Sequence, residues 1–402
     1  MISGGAWLHG DRQVDETRLD DPAKVAEIDS AGMLRAVASA GPQLREAMQL
    51  AAETDLAELG EDGRPRAVVV AGVGTAARTG DVLATVAGPR CPVPVLAHRS
   101  AGVPGWVGAA DVVIAVSASG RSPEALAAAE AGARRGARLV AVGAPDSPLQ
   151  SVAERARAPF VPVPRRAPAR ATFWALVVPV LLAGRALGLV KVTEADLAET
   201  ATRLDRDAEA CRESAESFVN PAKELALNLA GTVPVIWGSS PLAAVAAHRF
   251  ADMLSTNARY PAVAGSLGEV GRGRIGLLDG VFGGLAEQER DIFADSEAED
   301  GPTRLHLVLL CDGGLAGDEQ AGTEPLSVAQ RRAEAVAAMA RRRGIRCTEL
   351  TAEGGSALER LASLVAVPDF SSVYLALAHG VNPMAVPAVA ELKSALQPGP
   401  PA

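Results

Sequence analysis

The densest chemistry in the chain lies in Asp111-Val112-Val113-Ile114-Ala115-Val116-Ser117-Ala118-Ser119-Gly120-Arg121-Ser122-Pro123-Glu124-Ala125. A short β-branched run reads as a buried parallel strand and breaks into a turn of small, hydroxyl-bearing residues. An alanine-rich helix follows at once, with Pro123 suited to its first position and Glu124 to its positive end. Amides at that helix start, beside Ser117, Ser119 and Ser122, would converge on an anion the size of a phosphate. A second glycine-rich turn, Gly72-Val73-Gly74-Thr75-Ala76-Ala77, follows the valine run Val68-Val69-Val70. Its Gly-x-Gly-x-x-Ala spacing fits a dinucleotide pyrophosphate. The following strand ends in His98-Arg99-Ser100, with no acid for a ribose hydroxyl, so only an NADP reading through Arg99 survives.

The chain has 402 residues, enough for two domains with separate cores. Its composition, 48% hydrophobic but 3% aromatic, suits a helix-rich α/β protein. A net charge of −9 argues against nonspecific nucleic-acid binding, and the run Arg341-Arg342-Arg343 reads as helix-end charge. The four cysteines, Cys91, Cys211, Cys311 and Cys347, show no metal-ligand spacing and are expected to be buried free thiols. No secretory signal opens the sequence and no run is expected to span a membrane. The apolar run Phe173–Leu189 is interrupted by Pro179 and Arg185 and reads as a buried helix. A cytoplasmic protein without cofactor or metal is expected.

Helical periodicity from Asp21 to Glu53 predicts N-terminal helices. The first strand–turn–helix unit opens within Arg66–Ala77, more strands are expected at Val93–Ala97, Val112–Val116, Leu139–Val142 and Phe160–Val163, and a closing helix at Ala171–Leu189. A charged helical segment, Thr193–Ser217, leads to a second strand–turn–helix unit, Thr232-Val233-Pro234-Val235-Ile236-Trp237-Gly238-Ser239-Ser240-Pro241. Strands then follow at Leu305–Cys311, Arg346–Leu350 and near Val373, with an exposed acidic, glycine-rich loop at Asp312–Thr323. The alternation predicts two doubly wound α/β halves. The expected layout is an N-terminal helical segment (residues 1–60), a first domain (61–192), a helical linker (193–230), a second domain (231–396) and a tail (397–402).

These strings together resemble the bifunctional phosphoglucose/phosphomannose isomerase family, whose chains hold two sugar isomerase (SIS) domains. Ser117–Glu124 resembles the family's phosphate loop, Ser-x-Ser-Gly-Asn-Thr-x-Glu-Thr, with Arg121 for Asn and Ser122 for Thr. Leu19-Asp20-Asp21 through Asp29-Ser30-Ala31-Gly32-Met33-Leu34 is similar to its opening segment, and Gly72-Val73-Gly74-Thr75 to its Gly-Met-Gly-Gly. Arg170 resembles an arginine that projects toward the sugar. Arg249-Phe250 through Asn257-Ala258-Arg259-Tyr260-Pro261-Ala262, Gly355-Ser356-Ala357-Leu358-Glu359-Arg360, and Gly380-Val381-Asn382-Pro383 with Glu391-Leu392-Lys393 extend the likeness nearly to the C-terminus. The resemblance implies two flavodoxin-like αβα halves, a hexose 6-phosphate ligand and a homodimer. Implied substrate-binding positions are Gly72, Gly74, Thr75, Ser117, Ser119, Arg121, Ser122, Glu124, Arg170, Arg249, Asn257 and Arg272.

The family's catalytic pair is replaced. Its proton-shuttling Glu falls on Thr256 and its ring-opening His, thought to reach a neighbouring subunit's site, on Arg272. A threonine hydroxyl is no carboxylate base, and a guanidinium keeps its proton at physiological pH. Losing one positioned acid or base costs about 10²–10⁴ in rate, so isomerase activity is expected to be weak or lost. Lys393 remains at the position of the family's C-terminal active-site lysine, while Met384 stands where relatives often carry Thr. Glu269 and His379 are the candidates for a rearranged acid/base set; a solvated carboxylate and a packed ring are their plainer readings, as is a capping ring for His248. Arg272 and Arg121 would favour a more strongly anionic ligand. The alternatives are a working isomerase with rearranged groups and an NADP-dependent enzyme.

Overall fold

The computed structural model describes residues 14–287, 304–313 and 326–395. Three N-terminal helices, α1 (Pro22–Ile28), α2 (Met33–Ala38) and α3 (Ala40–Ala52), precede the first sheet. The Asp21 carboxylate accepts the Ala23 and Lys24 amides to start α1, and both Asp29 oxygens hold the amides of Met33 and Leu34 at the start of α2.

The first half runs β1 (Val68–Ala71), α4 (Thr75–Ala87), β2 (Val95–His98), β3 (Val112–Ser117), α5 (Pro123–Arg134), β4 (Arg138–Gly143), α6 (Pro148–Ala156), β5 (Phe160–Pro162) and α7 (Phe173–Ala186). All pairings are parallel and the strand order is β2-β1-β3-β4-β5. Every residue of β1 and β3 is buried, as expected of central strands covered on both faces by helices.

Helices α8 (Glu194–Ala210) and α9 (Pro221–Leu229) lead into the second half. It comprises β6 (Thr232–Gly238), α10 (Pro241–Met253), β7 (Val263–Ser266), the single turn α11 (Leu267–Val270), β8 (Arg304–Cys311), α12 (Leu326–Arg342), β9 (Arg346–Thr351), α13 (Ala357–Ala378) and α14 (Pro387–Ala395). Its parallel order, β7-β6-β8-β9, repeats the first four strands of the other sheet. The fold is thus two SIS-type α/β halves in which β6 and β8 are the counterparts of β1 and β3.

One apolar core runs through both halves. It is built where α3 packs on α7 and α8, and where α13 packs on α8, α9 and α10. Smaller clusters lie on the outer face of each sheet. Lys223 is buried within the shared layer, its ammonium within 3.0 Å of oxygens of Leu19, Asp20, Glu213 and Ala215 and facing the Tyr374 ring. These contacts fasten the N-terminal segment to α9 and satisfy a buried charge.

Several expectations are corrected. The segment near Val373 is not a strand but lies in α13, a 22-residue helix started by the Ser356 hydroxyl. Burial on nearly all sides leaves its apolar run without a helical stripe, and length alone separates it from strand. α13 is also long and apolar enough to cross a membrane, contrary to expectation, yet 89% of its apolar window is buried inside the protein. The short strand β7 was not anticipated. Cys211 is buried, but Cys91, Cys311 and Cys347 are only half-buried. Asp312 opens the acidic segment as a buried side chain, 9% exposed, rather than as exposed loop; residues 314–323 and the tail 397–402 lie outside the described residues.

His306, on β8, is 2% exposed, and its ring bonds the Thr348 hydroxyl at 2.8 Å. Burial drives the imidazole pKa down to about 4, and Arg346 pushes the same way. The unfolded chain therefore binds this proton first as pH falls. The neutral ring's stabilisation is fully present above the unfolded value near 6.5 and is lost as pH falls toward 4. The full swing is about 3 kcal/mol. His306→Gln should reduce the loss of stability between pH 7 and pH 4 by about that amount, measured by urea unfolding at both pH values.

Candidate functional site

The order β2-β1-β3 creates a topological switch point: the chain leaves β1 toward β2 and leaves β3 toward β4. The loops at the carboxyl ends of β1 and β3 flank a crevice there, the usual ligand position in an open parallel sheet. Both sequence-predicted loops fall at this edge. On the β1 side, a Cβ on Gly72 would come within 2.8 Å of the Val116 carbonyl at the end of β3, so only glycine lets the two loops approach. Gly74, at φ +59°, adopts the left-handed backbone that precedes α4, and Thr75 is the first residue of that helix.

On the β3 side, Ser117 is buried and its hydroxyl oxygen accepts the Ser122 amide at 3.3 Å. Ser119 Oγ accepts the Arg121 amide at 3.2 Å and lies 3.5 Å from Ser117 Oγ. Ser122 donates its hydroxyl to Glu124 at 2.7 Å, which fixes the carboxylate at the start of α5. Gly120, at φ +65°, cannot carry a side chain, because its Cβ would lie 2.0 Å from Ser147 Oγ. The loop therefore keeps its shape through its own hydroxyls and needs no ligand to form. The Arg121 side chain points outward, along a cleft of about 460 Å³ shared with Asp146, Ser147 and Arg155.

A second polar group gathers where the β5–α7 loop meets the second half. The Arg170 guanidinium donates to Asn257 Oδ1 at 2.7 Å and to the carbonyls of Pro383 and Met384 at 2.7 and 3.1 Å. It has no carboxylate within ion-pair distance among the described residues, and burial lowers its pKa. Asn257 passes its amide to Ser372 on α13 at 2.9 Å. Arg249 pairs with the buried Asp369 at 2.5 and 3.1 Å, donates to the Arg170 carbonyl at 3.2 Å and lies over the Phe173 ring. Burial raises the Asp369 carboxyl against the opposing pull of Arg249. Three predicted residues, Arg170, Arg249 and Asn257, are thus joined in one hydrogen-bonded network. Asp369 and Ser372 escaped the sequence reading because isolated polar residues inside a long apolar run carry no spacing signal. Beside this network, a cleft of about 980 Å³ opens between α1–α3 and the β5–α7 loop, bordered by Asp29, Gln43, Arg166, Thr172 and Met384.

Thr256 lies in a π-helical turn, Leu254–Ala258, that widens the end of α10; such turns recur at functional positions. Its hydroxyl donates back to the Asp252 carbonyl, and Asp252 bridges to Arg78 on α4 at 2.8 Å. His248, one turn earlier, is half-buried; desolvation and Arg78 lower its pKa against Asp252 and Asp81. The remaining candidates do not converge. Glu269 and Arg272 are exposed on α11 and the turn after it, with only a backbone bond between them, Arg272 N to Glu269 O. His379 closes α13 and lies against the Tyr260 ring at 5.7 Å. Lys393 is on α14, but its side chain lies outside the described residues. Arg99, on which the NADP reading depends, is bound to Asp81 at 2.5 Å.

Residues 218–396 match the family described as bacterial phospho-glucose isomerase C-terminal SIS domain. A bifunctional phosphoglucose/phosphomannose isomerase from Caldicellulosiruptor bescii is 26% identical over 329 residues, covering 82% of this chain and 89% of that one. A crystal structure of a hypothetical protein from Thermus thermophilus superimposes with a TM-score of 0.64 at 18% identity, covering 95% of this chain and 92% of the other. Tagatose-6-phosphate ketose/aldose isomerase from Escherichia coli gives 0.57 at 14% identity, covering 89% and 95%. The C-terminal domain of glucosamine-fructose-6-phosphate aminotransferase from Francisella tularensis gives 0.58 at 13% identity, covering 87% and 97%. At these identities the solved structures speak for the fold, while the family match and the Caldicellulosiruptor relative speak for descent. Residues 218–396 thus carry the C-terminal SIS domain of bacterial phospho-glucose isomerases, and the chain as a whole is similar to a bifunctional phosphoglucose/phosphomannose isomerase.

Proposed function

We propose that the protein binds a hexose 6-phosphate, or a closely related sugar anion, in the crevice between the β1 and β3 loops, and that it has weak or no isomerase activity. The observation that carries the binding part is the preformed Ser117–Ser122 loop at the switch point. The sugar would extend past Gly74, where nothing lies within 4 Å of the missing Cβ, toward the half-buried Arg170, with Arg249 and Asn257 buried behind it as its supports. Arg170 suits this role because, among the described residues, its charge is met by neutral carbonyl and amide oxygens. A cytoplasmic homodimer is part of this reading, carried over from the resemblance.

Loss of turnover follows from the groups present. Carrying a proton between C1 and C2 needs a base of suitable pKa held over the sugar. Thr256 stands at that position, its hydroxyl committed to the Asp252 carbonyl. Arg272, at the ring-opening position, is permanently charged. The alternative, an active isomerase with rearranged groups, would need Glu269, His379 and Lys393 to meet at one carbon; Glu269 is solvated and His379 is packed on Tyr260.

Ser119→Asp places a carboxylate where the phosphate would sit. It should abolish the rise in melting temperature that glucose 6-phosphate or fructose 6-phosphate gives the wild type. An equal rise in a folded mutant would put the ligand elsewhere.

Wild-type protein should interconvert fructose 6-phosphate with glucose 6-phosphate or mannose 6-phosphate far below the ordinary enzyme range of about 1–10³ s⁻¹. Thr256→Glu combined with Arg272→His should raise that rate measurably, since a base without ring opening reaches only the scarce open-chain sugar. Wild-type turnover within the ordinary range in a coupled assay would refute the reading.

A further inference from the structure

The polar surface of the first half does not end at Arg170. The β5–α7 loop leaves the carboxyl end of β5, which is two strands from β3 in the sheet and so about 10 Å away along the same edge. Beside that loop, against α1–α3, lies the cleft of about 980 Å³. Met384 joins the two regions: its carbonyl accepts from Arg170 at 3.1 Å, and the residue also borders the cleft. Thr172, two residues after Arg170, borders the cleft as well. A single hexose ring ending at Arg170 leaves this volume unfilled, although it lies within the usual range for small-molecule sites.

The walls favour a neutral ligand part rich in hydroxyls. Their charges are matched: Arg166 pairs with Glu46 at 2.8 Å and Arg45 with Asp205 at 2.5 Å, while the exposed rim adds one charge of each sign, Arg35 and Glu213. Asp29 keeps both oxygens on the Met33 and Leu34 amides. The polar groups left on offer are acceptors. Gln43 donates its amide to Ser39 Oγ at 2.7 Å, yet its Oε1 is buried without a hydrogen-bond partner among the described residues. The Thr172 hydroxyl donates to the Ala169 carbonyl at 2.9 Å, which leaves its oxygen able to accept. Leu50, Pro162 and Ala175 add apolar surface. Acceptors beside apolar surface suit a second pyranose, whose rim carries hydroxyl donors and whose faces carry C–H groups.

We propose that the ligand is a hexose 6-phosphate glycosylated at C1, a phosphorylated disaccharide, whose second ring occupies this cleft. This ligand class rests on the function proposed above and narrows it. It also agrees with the groups at the sugar's other end. An acetal at C1 keeps the ring closed, so no proton passes between C1 and C2. Such a ligand asks for no carboxylate base at Thr256 and no titrating group at Arg272.

Isothermal titration calorimetry on the full-length protein tests this, with trehalose 6-phosphate and maltose 6′-phosphate as probes and glucose 6-phosphate as the reference. At least one disaccharide phosphate should bind about tenfold more tightly than the reference, or better. Ala167→Trp crowds the cleft from the β5–α7 loop; it should remove that advantage and leave the reference affinity within about twofold. Pro42→Trp, on the exposed side of α3, repeats the test should Ala167→Trp not fold. Gln43→Leu should weaken binding of the disaccharide phosphate alone, and Ser119→Asp should abolish binding of both ligands. Binding of the reference with no tighter disaccharide phosphate, or an advantage that survives the tryptophan variants, overturns the proposal and leaves the phosphate site standing. Binding of neither ligand overturns the function proposed above and the disaccharide with it.

Discussion

The buried pair Arg249–Asp369 is the contact on which the arrangement of the two halves turns. Its partners lie on α10 and α13, and the same guanidinium covers Phe173 at the start of α7 and holds the Arg170 carbonyl. A charge removed from water is tolerated only when its partner is fixed and its remaining donors are met. Here the backbone of the β5–α7 loop meets one of them. The ion pair therefore does more than join two helices of the second half: it sets where the first half's Arg170 stands. Arg170 in turn orients Asn257, which is held from its other end by Ser372. Helix packing could slide by a fraction of a turn at small cost, whereas this chain of directed bonds is satisfied in one arrangement only.

That constraint gives the polar groups around Thr256 a structural duty of their own. Asn257, Arg249 and Arg170 are needed to seat the halves together, whether or not a sugar is turned over. Thr256 sits among them without a comparable duty, since its hydroxyl returns to its own helix. A change of side chain at such a position leaves the interface standing. Arg272 is freer still, exposed on the surface after α11.

The central strands β1 and β3 were legible because they are short, β-branched and wholly buried, and because each runs into a turn of glycine or serine, whereas β7, with one buried residue, was missed. The serine loop was legible for the same reason: its hydroxyls, its glycine and its helix start are consecutive in sequence. What stayed hidden lies where burial is complete or where partners are distant in sequence. α13 is apolar on nearly every side, so the periodicity that marks a surface helix is missing, and the stretch around Val373 reads as strand. Asp369 and Arg249 are separated by 120 residues, and nothing in either neighbourhood announces the other. Asp312 misled for the opposite reason, since its acidic, glycine-rich surroundings suggested solvent while its side chain turns inward to Arg360.

The two switch points bring these threads together. In the first half the hydroxyl and amide groups of the Ser117–Ser122 loop are satisfied by one another, at 3.2–3.5 Å. A phosphate offers those donors a charged acceptor in place of neutral ones, and charge-assisted bonds are roughly twice as strong. In the second half the hydroxyl-bearing turn follows β6 instead, and Ser240 donates to Asp312 at 2.8 Å, a carboxylate that also accepts from Arg360 at 2.8 Å. The two turns thus hold their hydroxyls differently, the first by neighbours in its own loop and the second by a carboxylate at the end of the adjacent strand.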